Sequence, residues 1–106
     1  MFHCLEVSLV VLDRLADVEA KLRRKRKSLA DQLGRAAEGI SLCVSEGRER
    51  VGLDRPDLYR KAAGSASEVT TVLRIARARG YITAADYQHV DVELDRVRAM
   101  LWRLTH

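Results

Sequence analysis

Apolar residues recur at alternating intervals of four and three along residues 29–47: Leu29, Leu33, Ala36, Ile40, Cys43 and Gly47. An α-helix returns to one face about every 3.6 residues, so this spacing lays them on a single stripe; a strand would need alternation by two. A second stripe joins Leu58, Ala62, Ala66, Val69, Leu73 and Ala76, and a third joins Tyr87, Val90, Leu94, Val97, Leu101 and Leu104. Residues 5–22 are apolar on more than one stripe, through Leu5, Val7, Leu9, Val10, Val11, Leu12, Leu15, Val18 and Leu22. Such a helix either contacts something on two faces or forms a broad core stripe with some valines left outside. Thirteen alanines and one proline in 106 residues favour helix over sheet.

Local signals divide these stripes. The run Arg23-Arg24-Lys25-Arg26-Lys27 closes the first helix, and Ser28-Leu29-Ala30-Asp31 resembles a capping box with Asp in place of Glu. Asp54-Arg55-Pro56-Asp57 opens the third helix, because Pro needs no donor in the first turn and Asp favours the positive helix end. Gly80 is suited to the residue just past its end, and Thr83-Ala84-Ala85-Asp86 starts the fourth. Helices are therefore expected over residues 2–24, 28–47, 55–79 and 83–104, within one domain spanning 1–106. With connections this short, they predict an all-α, antiparallel up-down-up-down four-helix bundle. Ala36, Ala37 and Gly39 would let a neighbouring helix come close.

Leu, Ile, Val and Phe make up 29 of the residues, about 27%, above the ~20% at which chains become disordered. No apolar run approaches the ~18 residues of a membrane span, and Glu6 interrupts the N-terminal apolar stretch, so no secretory signal is expected. Cys4 and Cys43 are too few for a disulfide framework and too far apart in sequence for a metal knuckle. A reducing, cytoplasmic setting follows.

The order and spacing of several short motifs carry a resemblance that spans nearly the whole chain, from Leu5-Glu6-Val7 to Leu104. They are Leu29-x-x-Gln32-Leu33-x-Arg35-Ala36-Ala37, Ile40, Glu46-Gly47, Ala63-Gly64-Ser65-x-x-Glu68 and Gly80-Tyr81-Ile82. In these the chain resembles the four-helix-bundle proteins encoded within intervening sequences of bacterial large-subunit (23S) rRNA genes. The resemblance implies a homopentameric ring of bundles without enzymatic activity and a role in binding RNA or DNA. It extends to accessory proteins of diversity-generating retroelements, which implies a reverse transcriptase and its RNA as further partners. Gly39, Cys43 and Ser45 depart from the Ser, Asn and Ala usual in the family. The basic run stands where the family carries Phe-Pro and acidic residues, which strengthens the nucleic-acid reading for this chain.

Bundle topology supports that reading independently. In an up-down-up-down bundle the first and third connections share one end. Residues 19–31 and 74–86 then come together with nine basic residues (Lys21, Arg23, Arg24, Lys25, Arg26, Lys27, Arg74, Arg77 and Arg79) against three acidic ones, a net charge of +6. The remainder carries −2 of the total +4. Five such ends around a ring would attract phosphates in a salt-dependent way. Only Tyr81 is expected at this end as an aromatic, which points to contact with the backbone rather than the bases. The alternatives are cations that complement helix C-termini or keep a small protein soluble, and a scaffold whose basic end docks an acidic protein.

Little else in the sequence converges on chemistry. His3 and Cys4 offer two ligands where zinc takes four, or three and water; no metal or cofactor is expected. Cys43 is read as a small buried thiol of the core stripe, and Ser65, beside Gly64 and Ala66, as a close helix contact. Glu46 sits at a helix end that disfavours a carboxylate without a partner, for which Arg35, Arg50 or an adjacent subunit is available. Arg35, Glu46 and Glu68 are accordingly expected in structural ion pairs or subunit contacts, the alternative being solvated side chains. The chain is expected to be non-enzymatic.

Overall fold

A computed structural model describes residues 3–50 and 54–106. The described residues form four α-helices and no strand: α1 His3–Lys25, α2 Lys27–Glu49, α3 Arg55–Ala78 and α4 Ala84–Thr105. Phe2, expected to open the first helix, lies outside the described residues. At about 1.5 Å per residue, helices of this length run roughly 33–36 Å, so the 43 × 22 × 20 Å body is one helix long and two helices across. Each helix packs on its sequence neighbours, and α1 closes against α4.

Side-chain pairings fix the register as antiparallel throughout. Ser8 meets Ser41 across α1 and α2, with hydroxyls 2.9 Å apart, and Glu19 faces Gly34 on the same seam. Across α2 and α3, Gly39 faces Ser65 and Gly47 faces Tyr59. Arg98 donates to Thr70 at 2.6 Å between α3 and α4. Arg14 donates to the His89 carbonyl at 2.8 Å between α1 and α4. The Ser8 hydroxyl gives its proton to the Leu5 carbonyl at 2.7 Å, so Ser41 is the donor in the buried pair.

The core runs the length of the bundle through Val11, Leu15, Leu22, Leu33, Ile40, Val44, Val69, Leu73, Leu94 and Leu101, all essentially inaccessible to solvent. Three expectations need correction here. On α2 the core residue is Val44, while Cys43 is half-buried at its rim. On α3 the buried residue of the first turns is Tyr59 rather than Leu58. On α4 the buried stripe ends at Leu101, and Leu104, in the last turn, is 40% exposed. On α1, Leu9 and Val10 point outward and are exposed in the single chain, leaving one broad buried face along the helix.

The turns explain where the helices stop. Gly80 adopts φ +76°, the left-handed conformation that glycine enters without a Cβ penalty. The Tyr81 amide then donates to the Ala76 carbonyl at 2.8 Å and the Gly80 amide to that of Arg77 at 3.0 Å, closing the end of α3 in a Schellman motif. Thr83 and Asp86 exchange two hydrogen bonds in a reciprocal capping box that opens α4.

At α2 the expected capping box at Ser28 is not formed. Arg26, extended at φ −149° and ψ 95°, is the only residue between α1 and α2. Its amide donates to Leu22 and its carbonyl accepts from Ala30, so one residue ends one helix and begins the next. That turn draws Ser28 inside the helix, and Asp31 pairs with Arg23 instead.

Candidate nucleic-acid interface

The antiparallel register brings residues 21–27 and 74–79 to one end of the bundle. One ion pair marks the meeting. The Lys21 ammonium donates to both Asp86 carboxylate oxygens, at 2.9 and 3.0 Å. The positive charge of Arg79, and then of Arg26, near Tyr81 holds the phenol pKa below the ordinary tyrosine range.

Nine cations meet here on unequal terms. Lys21 is half-buried and tied to Asp86, whose carboxyl is held below its usual value by the Thr83 backbone amide first and by Lys21 second. Arg23 pairs with Asp31 at 2.7 Å, which depresses the Asp31 carboxyl in the same direction. Arg24, Lys25, Arg26, Lys27, Arg74, Arg77 and Arg79 are exposed and, among the described residues, have no carboxylate within ion-pair distance.

Sequence reading missed the second aromatic of this end. Tyr87, taken as a core residue, is half-buried with the Arg77 guanidinium carbon 5.5 Å from its ring centre. The corresponding distance from Arg79 to Tyr81 is 5.9 Å. A shallow groove of about 350 Å³ runs between Arg74, Arg77, Ala78 and Tyr87. The available signal was positional: Arg77 lies in the last turn of α3, and an aromatic one turn into an antiparallel α4 comes back alongside it.

The other expected residues lie elsewhere. Arg35, Glu46 and Glu68 are exposed, and none forms an ion pair within the chain among the described residues. Arg50, one candidate partner of Glu46, binds Asp54 at 2.9 Å, while Arg35 contributes to lowering the Asp31 pKa. Glu46 borders an open groove of about 660 Å³ with Arg50, Asp54, Asp57 and Arg60 at the opposite end. Arg55 caps α2 there, donating to the Gly47 and Arg48 carbonyls at 2.8 and 2.9 Å. Ser65 makes the close contact expected of it, against Gly39.

His3 lies 3.6 Å from Glu6 and His106 stacks on Trp102 with ring centres 4.5 Å apart. Among the described residues no three His, Cys, Asp or Glu side chains group to hold a metal. Burial pushes the Cys4 thiol up to about 11, far from a nucleophile at neutral pH. No helix of the described residues is long and apolar enough to cross a membrane.

Comparison with known proteins places this geometry. A protein of unknown function from the S23 ribosomal protein family of Bacteroides thetaiotaomicron VPI-5482 has a crystal structure with the same fold. The two superpose with a TM-score of 0.89 at 18% identity, over 96% of this chain and 97% of the other. No curated protein matches the chain. Residues 5–103 match the family described as 23S rRNA-intervening sequence protein, and the chain belongs to that family.

Proposed function

We propose that this protein is a non-enzymatic nucleic-acid-binding module, gripping the phosphate backbone of RNA or DNA with one basic end repeated around a homopentameric ring. The observation that carries the reading is the Lys21–Asp86 ion pair, which sets the end of α1 beside the α3–α4 corner and so gathers seven exposed cations without carboxylate partners among the described residues. Neutralising phosphates with such a surface releases counterions, so affinity falls as salt rises, more steeply with every phosphate engaged. Membership in an rRNA-linked family agrees with an RNA partner. Two free cysteines, one buried and one half-buried, fit a cytoplasmic, reducing setting. Arg35, Glu46 and Glu68, exposed and outside the ion pairs of the described residues, are available for contacts between copies.

Native mass spectrometry should give a species near five times 12.0 kDa, and a clean monomer would remove the ring. Gel shifts with RNA and duplex DNA across a salt series should show binding whose log affinity falls linearly with log salt. Converting Arg24, Lys25, Arg26 and Lys27 to Gln should flatten that slope by roughly 0.7–0.9 for each phosphate no longer neutralised, while leaving assembly intact. An unchanged slope would sink the proposal. Retention of an acidic protein in place of nucleic acid would identify a scaffold. Co-purification of a reverse transcriptase with its RNA would identify an accessory role in a retroelement.

A further inference from the structure

Phosphate attraction alone accounts for the charge at this end but not for the placing of Arg77 and Arg79. Each has its guanidinium carbon over a tyrosine ring, at 5.5 Å for Tyr87 and 5.9 Å for Tyr81, within the ~6 Å reach of a cation–π contact. Both tyrosines also pack against the hydrophobic core, which fixes the rings. Both arginines are exposed. A guanidinium is planar, and an exposed one beside a ring still offers a face to solvent. Such a plane is a recognised stacking surface for an unpaired base, and its N–H groups can still reach a neighbouring phosphate. A shallow groove of about 350 Å³ lies beside Arg77 and Tyr87.

We propose that Arg77 on Tyr87 and Arg79 on Tyr81 are stacking platforms for unpaired nucleobases, so that the basic end prefers single-stranded nucleic acid to duplex. The inference rests on the phosphate-binding reading above and adds to it a selectivity that charge cannot supply. In a duplex both faces of every internal base are already stacked, and the platforms have nothing to receive. In a single strand a base can settle on each arginine while the remaining cations follow the backbone. Stacking is indifferent to the 2′-hydroxyl, so RNA and DNA single strands should bind alike.

The decisive variant keeps the charge and removes the plane. The full chain and its R77K/R79K form are titrated with a 2-aminopurine-labelled single-stranded RNA, the same sequence as DNA, and its duplex. The native chain should bind both single strands more tightly than the duplex and quench the 2-aminopurine. R77K/R79K should bind single strands about tenfold more weakly and no longer quench the label, as expected when a base has no plane to stack on. Its loss on the duplex should be smaller than on the single strands, because lysine keeps the charge that a phosphate reads. Y81L/Y87L, which leaves the arginines unsupported, should move the same way, with helicity checked by circular dichroism. Equal binding of single strand and duplex, or a lysine variant that loses only thermal stability, overturns the stacking proposal and leaves the phosphate reading standing. Failure of the native chain to bind any of the three at low salt overturns both.

Discussion

Gly47 sits where the ring of Tyr59 leaves no room for a methyl group: a Cβ there would lie 2.6 Å from Tyr59 Cε1. Tyr59 is buried, so its ring cannot simply swing away. Gly47→Ala should therefore destabilise the fold by about 1–3 kcal/mol in urea unfolding, despite the higher helix propensity of alanine. Gly39→Ala meets only Ser65, its Oγ at 3.2 Å, and should cost less. The two cysteines differ for a comparable reason. Cys4 is buried with its thiol pKa raised to about 11, whereas Cys43 is half-buried at the core rim. Near pH 8 a thiol reagent should modify Cys43 first, and Cys4 should react only on unfolding, as peptide mass mapping can follow.

At the scale of the helices, the α3–α4 corner concentrates the capping energy. Thr83→Ala removes one half of the reciprocal box and should cost about 1 kcal/mol. Asp86 serves both that box and Lys21, and its folded carboxyl titrates below the ordinary value near 3.8. An acid with a depressed folded pKa stabilises the fold above its unfolded pKa and loses that contribution as pH falls through the folded one. Stability should thus decline below about pH 4, and the Asp86→Asn variant should show a shallower decline in acid melts. Most of this architecture was legible in the sequence, because Pro56, Gly80 and Thr83 act through local chemistry that needs no tertiary partner. The start of α2 was not, because Arg26 serves two helices at once and leaves Ser28 nothing to cap. Cys43 and Val44 are one residue apart at the edge of the same stripe, and only the position of α3 decides which is buried. The cationic end was legible as charge; the pairings of Arg23 with Asp31 and Lys21 with Asp86 depend on side-chain reach.

For the whole molecule, the concentration of charge has a thermodynamic cost. Residues 19–31 and 74–86 carry +6 in a bundle whose cross-section is 22 × 20 Å. At about 0.01 M salt the Debye length is roughly 30 Å and these charges repel one another across the whole end; at about 1 M it is roughly 3 Å and they scarcely interact. Neutralising Arg24, Lys25, Arg26 and Lys27 should consequently raise the melting temperature at low salt, with the gain vanishing at high salt. A variant less stable than the native chain at both extremes would mean that these side chains hold the fold together.

The one-residue join at Arg26 bears on how tightly a polyanion could be held. A cationic segment on a loose tail must give up its conformational freedom whenever it engages a ligand, and affinity falls accordingly. Here Lys25 ends one helix, Lys27 begins the next, and hydrogen bonds on both sides clamp Arg26 between them. The backbone beneath these cations has therefore already surrendered its freedom during folding, and an incoming polyanion meets a rigid array that has only its side chains left to order.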